Sequence, residues 1–134
     1  MKRRDKRKVG TLVIKLRTWL HGSERHYQEA SMLRNPKGKM CCLGFYFNAL
    51  GVPADDLLKI GSPDELKLML ATSSKGYPKE AAWLIHKSAS GKTVNSALTD
   101  GLIAANDYAG MTLPERMAMV KELFAKKKIK VKFV

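Results

Sequence analysis

The sequence predicts an α-rich α+β fold: about five or six helices around a buried central helix at about 41–50, with a small antiparallel sheet. The sheet is expected to combine a hairpin at about 26–40 with a C-terminal strand at 128–134. Three observations carry this reading. CCLGFYFNALG leaves no clear polar face apart from Asn48, and a helix that is apolar all round belongs inside a core. Ser62-Pro63-Asp64-Glu65 and Thr112-Leu113-Pro114-Glu115 each place a hydroxyl three residues before a glutamate, the pattern of a capping box that opens a helix. The C-terminal KIKVKFV alternates Ile129, Val131 and Phe133 with lysines, the period of a half-buried strand.

The remaining elements come in order along the chain. Leu12, Val13, Leu16, Trp19 and Leu20 recur at helical spacing, and Gly22 is placed to end the helix they predict. HYQEASMLRNPKGKM reads as two short extended pieces around the turn Asn35-Pro36-Lys37-Gly38, where proline fixes φ and glycine tolerates a positive one. The central helix is closed by Gly51 and stopped by Pro53. Ser62 caps a helix from about 63 to 72, and after the loop SSKGY, Pro78 opens another through KEAAWLIHK. SGKTVNS is a loop, and LTDGLIAAND is a short helix weakened by Gly101. The helix opened by Thr112 carries one apolar stripe, Met117, Val120, Leu123 and Phe124. The final strand is expected at a sheet edge, where its lysines discourage aggregation.

With 134 residues the chain has room for one core, so residues 1–8 are read as a basic leader and 9–134 as a single globular domain. An apolar share of 45% and a charged share of 28% exclude general disorder. The net charge of +13 is unevenly placed: residues 1–40 carry net +9, residues 41–115 net −2, and residues 116–134 net +6. Basic ends attract phosphate-bearing partners through counterion release, and they also suit an acidic protein surface. MKRRDKRK imitates the start of a secretory signal, but Lys15 and Arg17 interrupt the apolar run behind it. No stretch approaches the roughly 18–20 apolar residues of a membrane span, so no membrane partner and a cytoplasmic location are expected.

The adjacent Cys41 and Cys42 raise the question of catalysis. A thiol at a helix N-terminus beside Lys39 is a physically sensible nucleophile, because amide dipoles and a cation lower its pKa. His86 with Asp107, or with Asn106, would complete a cysteine hydrolase, with Gln28 as an oxyanion donor. The plainer reading outweighs it: free cysteines are among the most buried residues, and these two open an apolar helix. His21 and His26 could join the thiols on a metal, but adjacent cysteines fit one tetrahedron poorly, so no metal and no cofactor are expected. Gly91-Lys92-Thr93 imitates a phosphate loop, yet His86 stands where the first glycine belongs. The basic ends are the strongest signal. Lys2, Arg3, Arg4, Lys6, Arg7 and Lys8 would join Lys126, Lys127, Lys128, Lys130 and Lys132 in one positive face if the termini meet. A solvated tail beside a lysine-protected edge strand is the bland alternative.

Trp19, Gln28, Leu33, Gly38, Cys41-Cys42-Leu43-Gly44, Asn106-Asp107 and Thr112 with Glu115 occur in an order that resembles a loose group of small, mostly uncharacterised bacteriophage and prophage proteins. The group is marked by a Cys-Cys-Leu-Gly helix start and a downstream Asn-Asp motif. This chain departs from it at Ala105, where a larger apolar residue is expected, and in its basic leader. The resemblance implies a phage or prophage origin and a shared fold, with no catalytic assignment. It implies in turn a small accessory factor acting on nucleic acid, or on a host protein such as a defence component.

Overall fold

The computed structural model describes residues 10–21, 32–73, 76–85, 97–108 and 110–134. Two strands, β1 (Thr11–Ile14) and β2 (Lys130–Phe133), and four α-helices, α1 (Cys42–Ala49), α2 (Pro63–Met69), α3 (Ala97–Asp107) and α4 (Leu113–Ala125), are joined by short 3-10 turns. The α+β class and the dominance of helix are as expected.

The sheet differs from expectation. β1 pairs with β2 in parallel, Thr11 opposite Lys130 and Ile14 opposite Phe133, with amide bonds from Lys130 to Gly10 (2.9 Å) and from Val134 to Ile14 (3.0 Å) continuing the ladder. The first predicted helix is therefore a strand and then a 3-10 turn at Leu16–Thr18. Thr11 and Val13 are exposed while Leu12 and Ile14 are buried, so the period is two, and three of the four residues are β-branched, stiff side chains that favour a pleated strand. A parallel pair needs a long crossover connection, and the helical body of the chain between β1 and β2 supplies it.

Of the predicted hairpin, residues 26–31 lie outside the described residues. Its second half is a tight turn: Asn35 Oδ1 accepts from Lys37 N (3.1 Å) and Lys39 N (2.9 Å), Gly38 takes φ +89°, and Arg34 bridges Met40 antiparallel. This turn connects to two further segments, since Met40 also bridges Trp19 and Arg34 bridges Leu58.

α1 occupies the centre. Cys42 to Phe47 are all buried. Gly44 is required where it stands: a Cβ there would collide with the Leu33 carbonyl oxygen and lie 3.0 Å from Met40 Cβ, so only glycine lets the turn lie across the helix. Tyr46 anchors an aromatic cluster with Phe124 (5.5 Å between centroids) and Trp83 (5.7 Å), and Phe47 meets Tyr77 edge-on at 5.6 Å.

Both capping predictions concern local chemistry and hold in outline. Thr112 and Glu115 form the complete box, with Thr112 Oγ1 accepting from Glu115 N and Glu115 Oε1 from Thr112 N. Ser62 Oγ accepts from Glu65 N, but Glu65 reaches back one residue further, to Gly61 N at 2.8 Å. The segment after Pro78 is a 3-10 run, Lys79–Leu84, with a non-helical Ala81, in place of the predicted α-helix. Gly101 allows α3 to approach α4, since a Cβ would lie 3.1 Å from Leu123 Cδ1.

Candidate nucleic-acid interface and the buried cysteine cluster

The C-terminal end of α4 concentrates positive charge. Lys126, Lys127 and Lys128 come directly after its last turn, where cations complement the negative end of the helix dipole, and all three are exposed. The helix closes with Ile129 N donating to Phe124 O (3.1 Å) and Lys128 N to Ala125 O (2.8 Å), a Schellman-type closure. Lys128 stands at the left-handed position with φ +61°, where glycine is the relaxed residue. The chain then enters β2, whose inward Val131 is buried while Lys130 and Lys132 face solvent.

An open groove of about 440 Å³ runs between α4 and β2, lined by Lys121, Lys128 and Lys130 with Ala125, Ile129 and Val131. A second cleft, of about 410 Å³, shares Lys128 and Ile129 with the first and is otherwise lined by Gly10, Tyr46, Glu80, Trp83 and Lys127. Residues 1–8 lie outside the described residues, so Lys2, Arg3, Arg4, Lys6, Arg7 and Lys8 are not placed. Their point of attachment is nearly reached: Gly10 is hydrogen-bonded to Lys130, in the middle of the C-terminal lysines.

The cysteines are held differently from what a nucleophile needs. Cys41 is 7% exposed and Cys42 0%. Burial pushes the Cys41 thiol up to about 12, with the Asp107 carboxylate adding to the rise while the Gly44 and Leu43 amides pull the other way. Burial likewise drives Cys42 well above the ordinary thiol range. The expected lowering at the helix N-terminus is outweighed, because a thiolate removed from water loses more than the amide dipoles return. The space beside the pair, lined by Leu33, Leu43, Leu102, Asn106 and Asp107, amounts to about 40 Å³. That is room for water rather than for a substrate, since ligand pockets run to about 300–1,000 Å³. His86, Gln28 and His26 lie outside the described residues. Among those described, no group of three or more His, Cys, Asp or Glu side chains could hold a metal. Iodoacetamide at neutral pH is expected to leave both thiols of the folded protein unmodified and to label both on unfolding; labelling of the native protein would contradict this packing.

What gathers at the cysteines is a buried polar hub. Asn106 Oδ1 accepts from Trp19 Nε1 (2.7 Å) and from Cys42 N (2.9 Å), and its Nδ2 donates to Leu20 O (2.8 Å) and Asp107 Oδ1 (2.9 Å). One amide thus ties the end of the β1 segment, the first turn of α1 and the last turn of α3. Beneath it the fully buried Arg116 donates from Nη1 to the carbonyls of Ala105 and Asn106 (both 2.8 Å) and from Nη2 to Tyr108 (2.7 Å) and Met111 (2.9 Å). These carbonyls belong to the end of α3 and the loop after it, where the helix can no longer pair them all; Tyr108 O also accepts from Met111 N at 3.4 Å. Asp107 is pushed up to about 6 by burial, although the Asn106 amide and the Arg116 cation both act to lower it.

No protein-family model, curated protein or solved structure matches the chain. No helix among the described residues is long and apolar enough to cross a membrane.

Proposed function

We propose that the chain is a small basic accessory protein, of phage or prophage origin on its resemblance, that associates with nucleic acid through Lys2, Arg3, Arg4, Lys6, Arg7 and Lys8 together with Lys126, Lys127, Lys128, Lys130 and Lys132. The supporting observation is the parallel pairing of β1 with β2, which sets Gly10, just behind the basic leader, against Lys130. The segment that follows the leader and the C-terminal Lys130 and Lys132 therefore share one sheet. Contacts of this kind neutralise phosphates and carry no base readout. The host cytoplasm is the compartment in which such a protein would act.

Lys128 provides a test that separates binding from folding. A lysine at φ +61° carries a backbone cost that glycine does not. Lys128→Gly is expected to leave stability unchanged or raise it by up to about 1 kcal/mol. The same substitution is expected to weaken binding of duplex DNA severalfold at low salt, read by fluorescence anisotropy. Removal of residues 1–8 is expected to weaken it further. If neither DNA nor RNA binds at low salt, the reading is withdrawn.

A second reading, a modulator that binds an acidic host protein, such as a defence component, draws on the 78% exposure of Leu68 and 41% exposure of Met69 on α2. Apolar side chains left in water favour a protein contact. It would be favoured if Leu68→Ser abolished a stoichiometric complex from host lysate while nucleic-acid binding was absent.

A further inference from the structure

The cleft beside Lys127 contains more than a phosphate contact requires. Trp83 forms its wall, half-buried, with its indole N–H donating to Tyr46 Oη at 3.1 Å. Its ring is braced by Phe124, edge-on at 6.0 Å, and by Tyr46 at 5.7 Å. The Lys127 ammonium lies 5.7 Å from the ring centroid, so the indole already holds a cation at its face. Glu80 lines the same cleft, and its backbone carbonyl accepts from Tyr46 Oη at 3.2 Å. An aromatic ring held rigidly beside a row of lysines is the combination by which proteins grip unpaired strands: bases stack, phosphates pair with cations.

Resting on the nucleic-acid reading above, we propose that this cleft seats an unpaired base of a single strand against Trp83, while Lys127 and Lys128 hold the flanking phosphates. The base takes the place over the indole that the Lys127 ammonium holds in the free protein, and the flexible lysine turns to the backbone. The volume of about 410 Å³ accommodates a base with part of its sugar. A duplex cannot enter in this way, because its bases are already stacked on one another.

The chain has two tryptophans, and Trp19 is 0% exposed, so quenching of emission by a nucleic acid reports on Trp83. The test titrates the full chain with oligothymidylate of roughly 16 nucleotides, an abasic polymer of equal length and charge, and a duplex. Emission is expected to fall with oligothymidylate only. Trp83→Leu is expected to weaken oligothymidylate binding by about tenfold and leave duplex binding within about twofold, with Trp83→Phe restoring most of the loss. Equal affinity for the thymidylate and abasic polymers with unchanged emission would overturn the inference and leave the nucleic-acid reading standing. Absence of binding to all three would overturn both. The quench on the unmodified chain decides the matter even if Trp83→Leu does not fold.

Discussion

Replacing Asn106 by leucine is expected to destabilise the protein by about 3–5 kcal/mol, measured as a lower urea midpoint at unchanged slope. The two side chains are similar in size, so the effect isolates hydrogen bonding. Losing the amide leaves Trp19 Nε1, Cys42 N and Leu20 O without this partner, on residues that are all buried. Each buried group left unpaired costs about 1–3 kcal/mol, and the three lie on two segments, Trp19 and Leu20 on one and Cys42 on the other. Asn106→Asp is expected to keep the two bonds made to Oδ1 and lose the two that Nδ2 donates, and it adds a negative charge next to Asp107. A loss below about 1 kcal/mol for the leucine variant would mean that the segments are held by packing alone.

Arg116→Met is expected to cost a comparable amount, about 3–5 kcal/mol. Methionine fills much of the same space but donates nothing, so the carbonyls of Ala105, Asn106, Tyr108 and Met111 all lose a bond at once. Arg116→Lys should recover only part of the loss. An ammonium has three donors around a point, whereas the guanidinium spans the four carbonyls with two nitrogens held in one plane. The protein should unfold cooperatively in both variants at a reduced midpoint, read by circular dichroism. Full recovery by lysine would show that charge at the end of α3, rather than the planar fork, carries the effect.

Features that depend on neighbouring residues were legible in the sequence. The Thr112–Glu115 box, the Asn35–Gly38 turn and the apolar α1 all arise from local chemistry, and all are present. The sheet was not legible, because its pairing joins the two ends of the chain. Leu12, Leu16, Trp19 and Leu20 satisfy helical spacing as well as they satisfy a short strand and a turn, and only the partner strand decides between them. The parallel direction has no local signature at all.

The polar hub lay between these cases. Asn106 and Asp107 stood out as a pair at a helix end, but their partners are on other segments. Arg116 carries a signal of its own: it lies four residues before Val120 and eight before Phe124, in phase with the buried face of α4. A basic residue in phase with an apolar stripe is either an error in the pattern or a cation with buried acceptors. Here it is the second. The cysteines were legible as packing residues, and the direction of their pKa shift comes from that same burial. The C-terminal lysines were legible as charge, whereas the meeting of Lys127 with Trp83 depends on how the 3-10 run at Lys79–Leu84 lies beside the end of α4.

The function proposed for the cations at the two ends of the chain is the binding of phosphates. It is tested most directly by the salt dependence of DNA binding. Neutralising Z phosphates gives a slope of about −0.9Z in log Kobs against log salt, so contacts from five or more of the terminal cations predict a slope of about −4.5 or steeper. Each lysine removed from the set Lys126, Lys128 and Lys130 should flatten the slope by about 1. A shallow slope, or one unmoved by those substitutions, would contradict the account.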